Sequence, residues 1–99
     1  MSAFFFFDNL EVTDPDKLAQ YVEKVGPVVE KFGGRYRTVG GTATVFEGDC
    51  TPIYPVIIEF ETAERARAWY GSDEYRDLKS LRQSAARCNA VLIDDAQAG

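Results

Sequence analysis

The chain contains no histidine. It has no imidazole to ligate a haem or zinc ion, to activate a serine or cysteine, or to act as a base near neutral pH. Any chemistry must rest on Asp, Glu, Tyr, Arg, Lys or a bound cofactor. Cysteine is nearly as scarce. Cys50 and Cys88 stand far apart with no CxxC spacing, which excludes a disulfide framework and a cysteine-based zinc site. Basic residues are outnumbered, with 11 Lys plus Arg against 16 Asp plus Glu and a formal charge of −5. They are interspersed with acids, as at Glu64-Arg65 and Arg76-Asp77, so no basic stripe is present to track a nucleic acid. Long apolar runs are missing too. Phe4 to Phe7 is far shorter than the roughly 20 residues of a membrane helix, and no charged segment precedes it as in a signal peptide. The expectation is a soluble cytoplasmic protein with reduced thiols, no assigned metal or cofactor, and no nucleic-acid or membrane partner.

What is present is one strongly patterned domain. The 99 residues suit a single unit over 1–99, with a core from about 3 to 95 and a tail at 96–99. Ala3 to Val12, AFFFFDNLEV, reads as a strand without a wet face, because four consecutive phenylalanines point alternately to both sides. Burying one Phe contributes about 1.5–3 kcal/mol, so both faces of this strand call for cover. Asp14-Pro15-Asp16 then starts a helix with a cap, a first-turn proline and an acid at the positive end of the dipole. Leu18, Tyr21, Val22, Val25, Val28, Val29 and Phe32 continue it as an apolar stripe. Gly26-Pro27 is expected to interrupt and kink it, and Gly33-Gly34 to stop it.

Arg35 to Val39 reads as a second strand, with a bulge or bend at Gly40-Gly41 before continuation over Thr42 to Glu47. Gly48 to Pro52 turns the chain, and Val56 to Phe60 forms a third strand paired centrally with the first. Thr62 caps a helix over Ala63 to Tyr70, Gly71 ends it, and Ser72 starts another through about Ala86. Ala90 to Ile93 is a last short strand. The order β-α-β-β-α-β is the split βαβ motif, an α+β fold with both helices on one face of a four-stranded antiparallel sheet. The phenylalanines on the bare face point to a second copy packed sheet to sheet, a homodimer.

Several segments in order are similar to the domain of unknown function 1330 family. They are Thr13-Asp14-Pro15 through Tyr21, Phe32 to Tyr36, Gly40-Gly41, Glu47-Gly48-Asp49, Ile58-Glu59-Phe60, Trp69-Tyr70-Gly71-Ser72-Asp73-Glu74-Tyr75 and Leu81-Arg82. The resemblance runs from about Phe5 to Asp94 and implies a ferredoxin-like fold of the dimeric α/β barrel type. It implies no activity and carries over no catalytic residue. The chain departs from the family pattern at Cys50, where an aromatic residue is expected, and at Gly71, where asparagine is common.

Candidate sites follow from residue chemistry. Trp69, Tyr70, Tyr75 and Arg82 crowd into one stretch, with Arg35 and Tyr36 reaching from the second strand. They make either a pocket for a planar or apolar ligand, with Arg82 clamping a carboxylate or enolate, or simply core, with the arginine head in water. Asp8 reads either as a buried base or as a strand end in water. Glu59, Glu61, Asp94 and Asp95 could hold a hard cation, but they lack calcium-loop spacing and suit solvated or arginine-paired charges, with Arg35 or Arg37 opposite Glu59. Cys50 has no evident activator. Two alternative functions are therefore expected: a small-molecule binder with a cavity of roughly 300 Å³ or more, with cofactor-independent catalysis as an extension of it, or a non-catalytic dimerisation or interaction module with no ligand pocket.

Overall fold

The computed structural model describes residues 2–95, so the tail expected at 96–99 lies outside the described residues. Strand β1 (Ala3–Val12) has the span expected of it, with Phe5 and Phe7 buried and Phe4 and Phe6 half-buried on the other side. Helix α1 (Pro15–Lys31) starts as its sequence dictates, with the Asp14 side chain accepting the Lys17 N–H at 3.1 Å. The expected interruption at Gly26-Pro27 does not occur, and the helix runs unbroken to Lys31. Proline removes one N–H, but Gly26 before it has no Cβ to meet the proline ring. Val25 and Val29, buried on either side of the pair, hold the helix on the sheet, and packing outweighs the local penalty.

Strand β2 (Arg35–Val39) is not continued over Thr42 to Glu47. Gly40 and Gly41 take φ values of +75° and +102°, a region open to glycine, and lead the chain into a loop over residues 40–54. The bulge lies elsewhere, at Arg37, where the β2–β3 register shifts between Tyr36 and Thr38. Strand β3 (Pro55–Phe60) follows, then α2 (Ala63–Tyr70) capped by Thr62, and α3 (Asp73–Ala85) capped by the Ser72 hydroxyl, which accepts the Tyr75 N–H at 3.1 Å. Strand β4 (Ala86–Asp94) is longer than the expected Ala90 to Ile93. It starts directly after α3 because its ladder with β1 extends to the Val12–Ala86 pair.

All ladders are antiparallel and the sheet order is β2-β3-β1-β4, with β3 and β1 central as expected. The result is the ferredoxin-like α+β architecture. Phe5, Phe7, Ile58 and Phe60 from the sheet meet Val25 and Val29 of α1, Trp69 of α2 and Tyr75 of α3 in one core. The Trp69 and Tyr75 rings lie 4.3 Å apart, and Trp69 also meets Phe60 at 5.6 Å. Such pairs add about 0.5–1.5 kcal/mol beyond area burial. Alternation places Phe4, Phe6, Ile57, Val91 and Ile93 on the opposite face, and Val91 and Ile93 are exposed there.

Candidate ligand cavity

A half-open cavity of about 250 Å³ lies between α1, α3 and the β2–β3 side of the sheet. Leu18, Val22, Val25, Val39, Val56 and Ile58 make its apolar walls, and Tyr21, Tyr36, Asn9 and Arg82 supply its polar groups. The amphipathic stripe of α1 faces β2 and β3 across this space. No side chain projects from Gly26 to fill it.

Arg82 is the unusual member. It is only 5% exposed, and among the described residues it is in no ion pair. Its Nε donates to the Tyr75 hydroxyl at 3.4 Å, its guanidinium lies 5.3 Å from the Phe7 ring centroid, and it neighbours the Cys88 thiol. All three contacts are to neutral groups, and the hydrogen bond is long. A buried cation without an anionic partner is costly to desolvate.

Two phenols neighbour Arg82 and a third lines the same cavity. The Tyr21 and Tyr75 hydroxyls are 2.8 Å apart, and Tyr36 is electrostatically coupled to both. Burial, reinforced by Tyr75, pushes the Tyr21 phenol far above its ordinary range, and the same causes raise Tyr36 to about 12. Burial also raises Tyr75, against the opposing pull of Arg82. All three therefore keep their protons at neutral pH and serve as hydrogen-bond donors or acceptors.

The structure brings together only part of the set named from sequence. Tyr36 and Arg82 line the cavity. Trp69 and Tyr75 are fully buried in the core, although the Tyr75 hydroxyl reaches Arg82. Tyr70 packs over Phe5 at 5.4 Å with Lys79 above its ring, and it is not part of the cavity lining. Arg35 lies apart, in a separate polar hollow with Arg37 and Glu59. In that hollow Arg37 donates to Glu59 at 2.7 Å. Tyr21 belongs to the cavity and was absent from that set, and its signal was a lone hydroxyl on an otherwise apolar helix stripe.

Asp8 is neither a free base nor a solvated strand end. It is 4% exposed, and its carboxylate accepts the backbone N–H of Ile53 at 3.0 Å and of Tyr54 at 2.7 Å. It anchors the end of the loop over residues 40–54. Cys50 is exposed in that loop and is not part of the cavity lining.

The sequence pattern of the domain of unknown function DUF1330 matches residues 2–96. The chain belongs to this family. No curated protein matches it. Among solved structures, this DUF1330 chain is similar to RPA0582, a protein of unknown function from Rhodopseudomonas palustris, at 19% identity and a TM-score of 0.72, over 94% of this chain and 81% of that one. It is also similar to a dimeric ferredoxin-like protein of unknown function from Jannaschia sp. CCS1, at 10% identity and a TM-score of 0.71, over 95% and 99% of the two chains. SnoaB, a cofactor-independent oxygenase from Streptomyces nogalater, is similar at 12% identity and a TM-score of 0.69, over 93% and 90%. At these identities the likeness establishes the shared fold. No helix of the described residues is long and apolar enough to cross a membrane.

Proposed function

We propose that this DUF1330 protein binds a small apolar or aromatic carboxylate, with the carboxylate on Arg82 and the hydrocarbon part against the α1 and β2–β3 walls. The observation that carries this reading is the buried Arg82 guanidinium with only neutral neighbours. A charged group retained at such a position calls for a counter-charge from outside the chain. Tyr75 narrows the class of anion. Its phenol touches Arg82 and still stays protonated, because burial outweighs the guanidinium. A ligand phenol or enol, whose ordinary pKa is near that of tyrosine at about 10, meets the same opposition, whereas a carboxylate at about 4 stays ionised through a comparable rise. A volume of about 250 Å³ falls just below the range of roughly 300–1,000 Å³ for drug-sized ligands and suits a one-ring acid.

The reading assigns binding and no reaction. The lining residues offer donors and apolar walls, and their phenols hold their protons well past neutrality. The open sheet face supports a homodimer as the working form, since Phe4, Phe6, Ile57, Val91 and Ile93 form an apolar surface there. Solved relatives of this fold include proteins described as dimeric.

The test is thermal unfolding with benzoate, phenylacetate and 3-phenylpropionate, using the matching neutral amides as controls. At one hundred times Kd a ligand stabilises by about 2.7 kcal/mol. The acids are expected to raise the Tm and the amides to leave it unchanged. Arg82→Met keeps the stem volume and removes the unpaired charge. It is expected to leave the ligand-free protein as stable or more so and to abolish the response to acids. An acid response that survives in Arg82→Met overturns the reading.

A further inference from the structure

Gly26 sits inside α1, where glycine is less favourable than alanine. It lines the cavity, and a methyl group built on it meets no atom within 4 Å. Its neighbours on the same side of the helix, Val22 one turn earlier and Val25, do carry side chains into the lining. The space a side chain at position 26 would take is thus part of the cavity itself.

Tyr21 joins the Arg82 cluster through the Tyr75 hydroxyl, and Gly26 lies five residues farther along α1, about 7.5 Å along the helix axis at ~1.5 Å per residue. Tyr21 and Gly26 line the same cavity about one and a half helical turns apart, with the charge on the Tyr21 side. We propose that Gly26 is the specificity-determining position of the site and sets the length of carboxylate the cavity accepts. This inference rests on the carboxylate reading above.

A local explanation competes with it. Pro27 follows Gly26, and proline disfavours helical backbone in a preceding residue that bears a Cβ. That account ties Gly26 to helix stability alone and gives no dependence on ligand length.

The experiment separates the two by working in a Pro27→Ala background, where the proline ring is gone. Isothermal titration follows benzoate, phenylacetate, 3-phenylpropionate and 4-phenylbutyrate binding to the parent, to Gly26→Ala and to Gly26→Leu, with circular dichroism confirming that each is folded. Gly26→Leu is expected to weaken the two longest acids by about tenfold or more, the scale of one methylene in an apolar pocket. Benzoate is expected to stay within about twofold, with Gly26→Ala intermediate. Equal weakening of all four acids, or an unchanged order of affinity, overturns the role of Gly26 and leaves the carboxylate site standing. If no acid binds the Pro27→Ala parent or the unmodified protein, both fall. Should Gly26→Leu fail to fold, Gly26→Ala decides: a selective loss of the longest acid upholds the proposal, and a flat profile overturns it.

Discussion

The hydroxyls of Tyr21 and Tyr75 meet at 2.8 Å across 54 residues of sequence, tying α1 to α3 at the polar end of the cavity. Tyr21→Phe removes one hydroxyl and leaves the Tyr75 hydroxyl with Arg82 alone. A net cost of about 0.5–1.5 kcal/mol is expected, measured by urea unfolding of both proteins. An unchanged midpoint would show that the pair does not couple the helices.

Asp8 replaces two water hydrogen bonds of the loop with charged ones to the Ile53 and Tyr54 N–H groups. Such bonds contribute about 1.5–3 kcal/mol each. Asp8→Ala is expected to destabilise by at least ~2 kcal/mol and to speed hydrogen exchange at those two amides selectively. Uniform acceleration across the sheet would instead indicate global loosening.

Phe6 and Phe7 are adjacent in sequence and lie on opposite faces of the sheet. Phe7 is 6% exposed in the helix-side core, so Phe7→Asp removes its ring from that core and is expected to destabilise by about 3–5 kcal/mol, even with Arg82 beside the new carboxylate. Phe6→Asp is expected to leave a folded monomer by light scattering. A folded Phe6→Asp dimer would remove the sheet face as the interface.

Glu59 titrates below the ordinary carboxylate range because Arg37, and after it Ser2, hydrogen-bonds its ionised form. A depressed folded pKa favours folding above the unfolded value of 4.5, and that contribution is lost as pH falls through the folded value. Glu59→Gln is therefore expected to flatten the decline of stability below about pH 4.5 and to leave the alkaline side unchanged. Tyr36 acts in the opposite window. Its phenol is raised from 10.0 to about 12, so its contribution is complete below pH 10 and fades as pH climbs through the raised value. Tyr36→Phe is expected to reduce that alkaline loss, read by urea unfolding across the window.

Elements whose start or stop depends on one local side chain were legible in the sequence. Asp14, Thr62 and Ser72 each cap the helix assigned to them, and Gly71 ends α2. The alternation from Phe4 to Phe7 gave β1 both of its faces. Features that depend on distant partners were not legible. Pro27 stays helical because the sheet holds Val25 and Val29, and β4 begins at Ala86 because β1 is long enough to pair with it. Thr42 to Glu47 has strand-like composition, but the paired backbone conformations of Gly40 and Gly41 carry it off the sheet. Asp8 was ambiguous because its partners are backbone N–H groups 45 and 46 residues away, which no side-chain pattern announces. For the cavity, Arg82 and Tyr36 were legible as chemistry. Tyr21 was hidden inside an apolar stripe, and Gly26 read as a helix breaker.

The loop after β2 is fastened at its base. The Gly40 N–H bonds the Pro55 carbonyl at 2.7 Å, and Asp8 holds Ile53 and Tyr54. Between those clasps Phe46 is 92% exposed. Loop closure cost grows only slowly with added length, and exposed loop tips tolerate insertion. The segment between the clasps is therefore a natural graft point, where a foreign peptide or reporter can be displayed while the strands on either side keep their register.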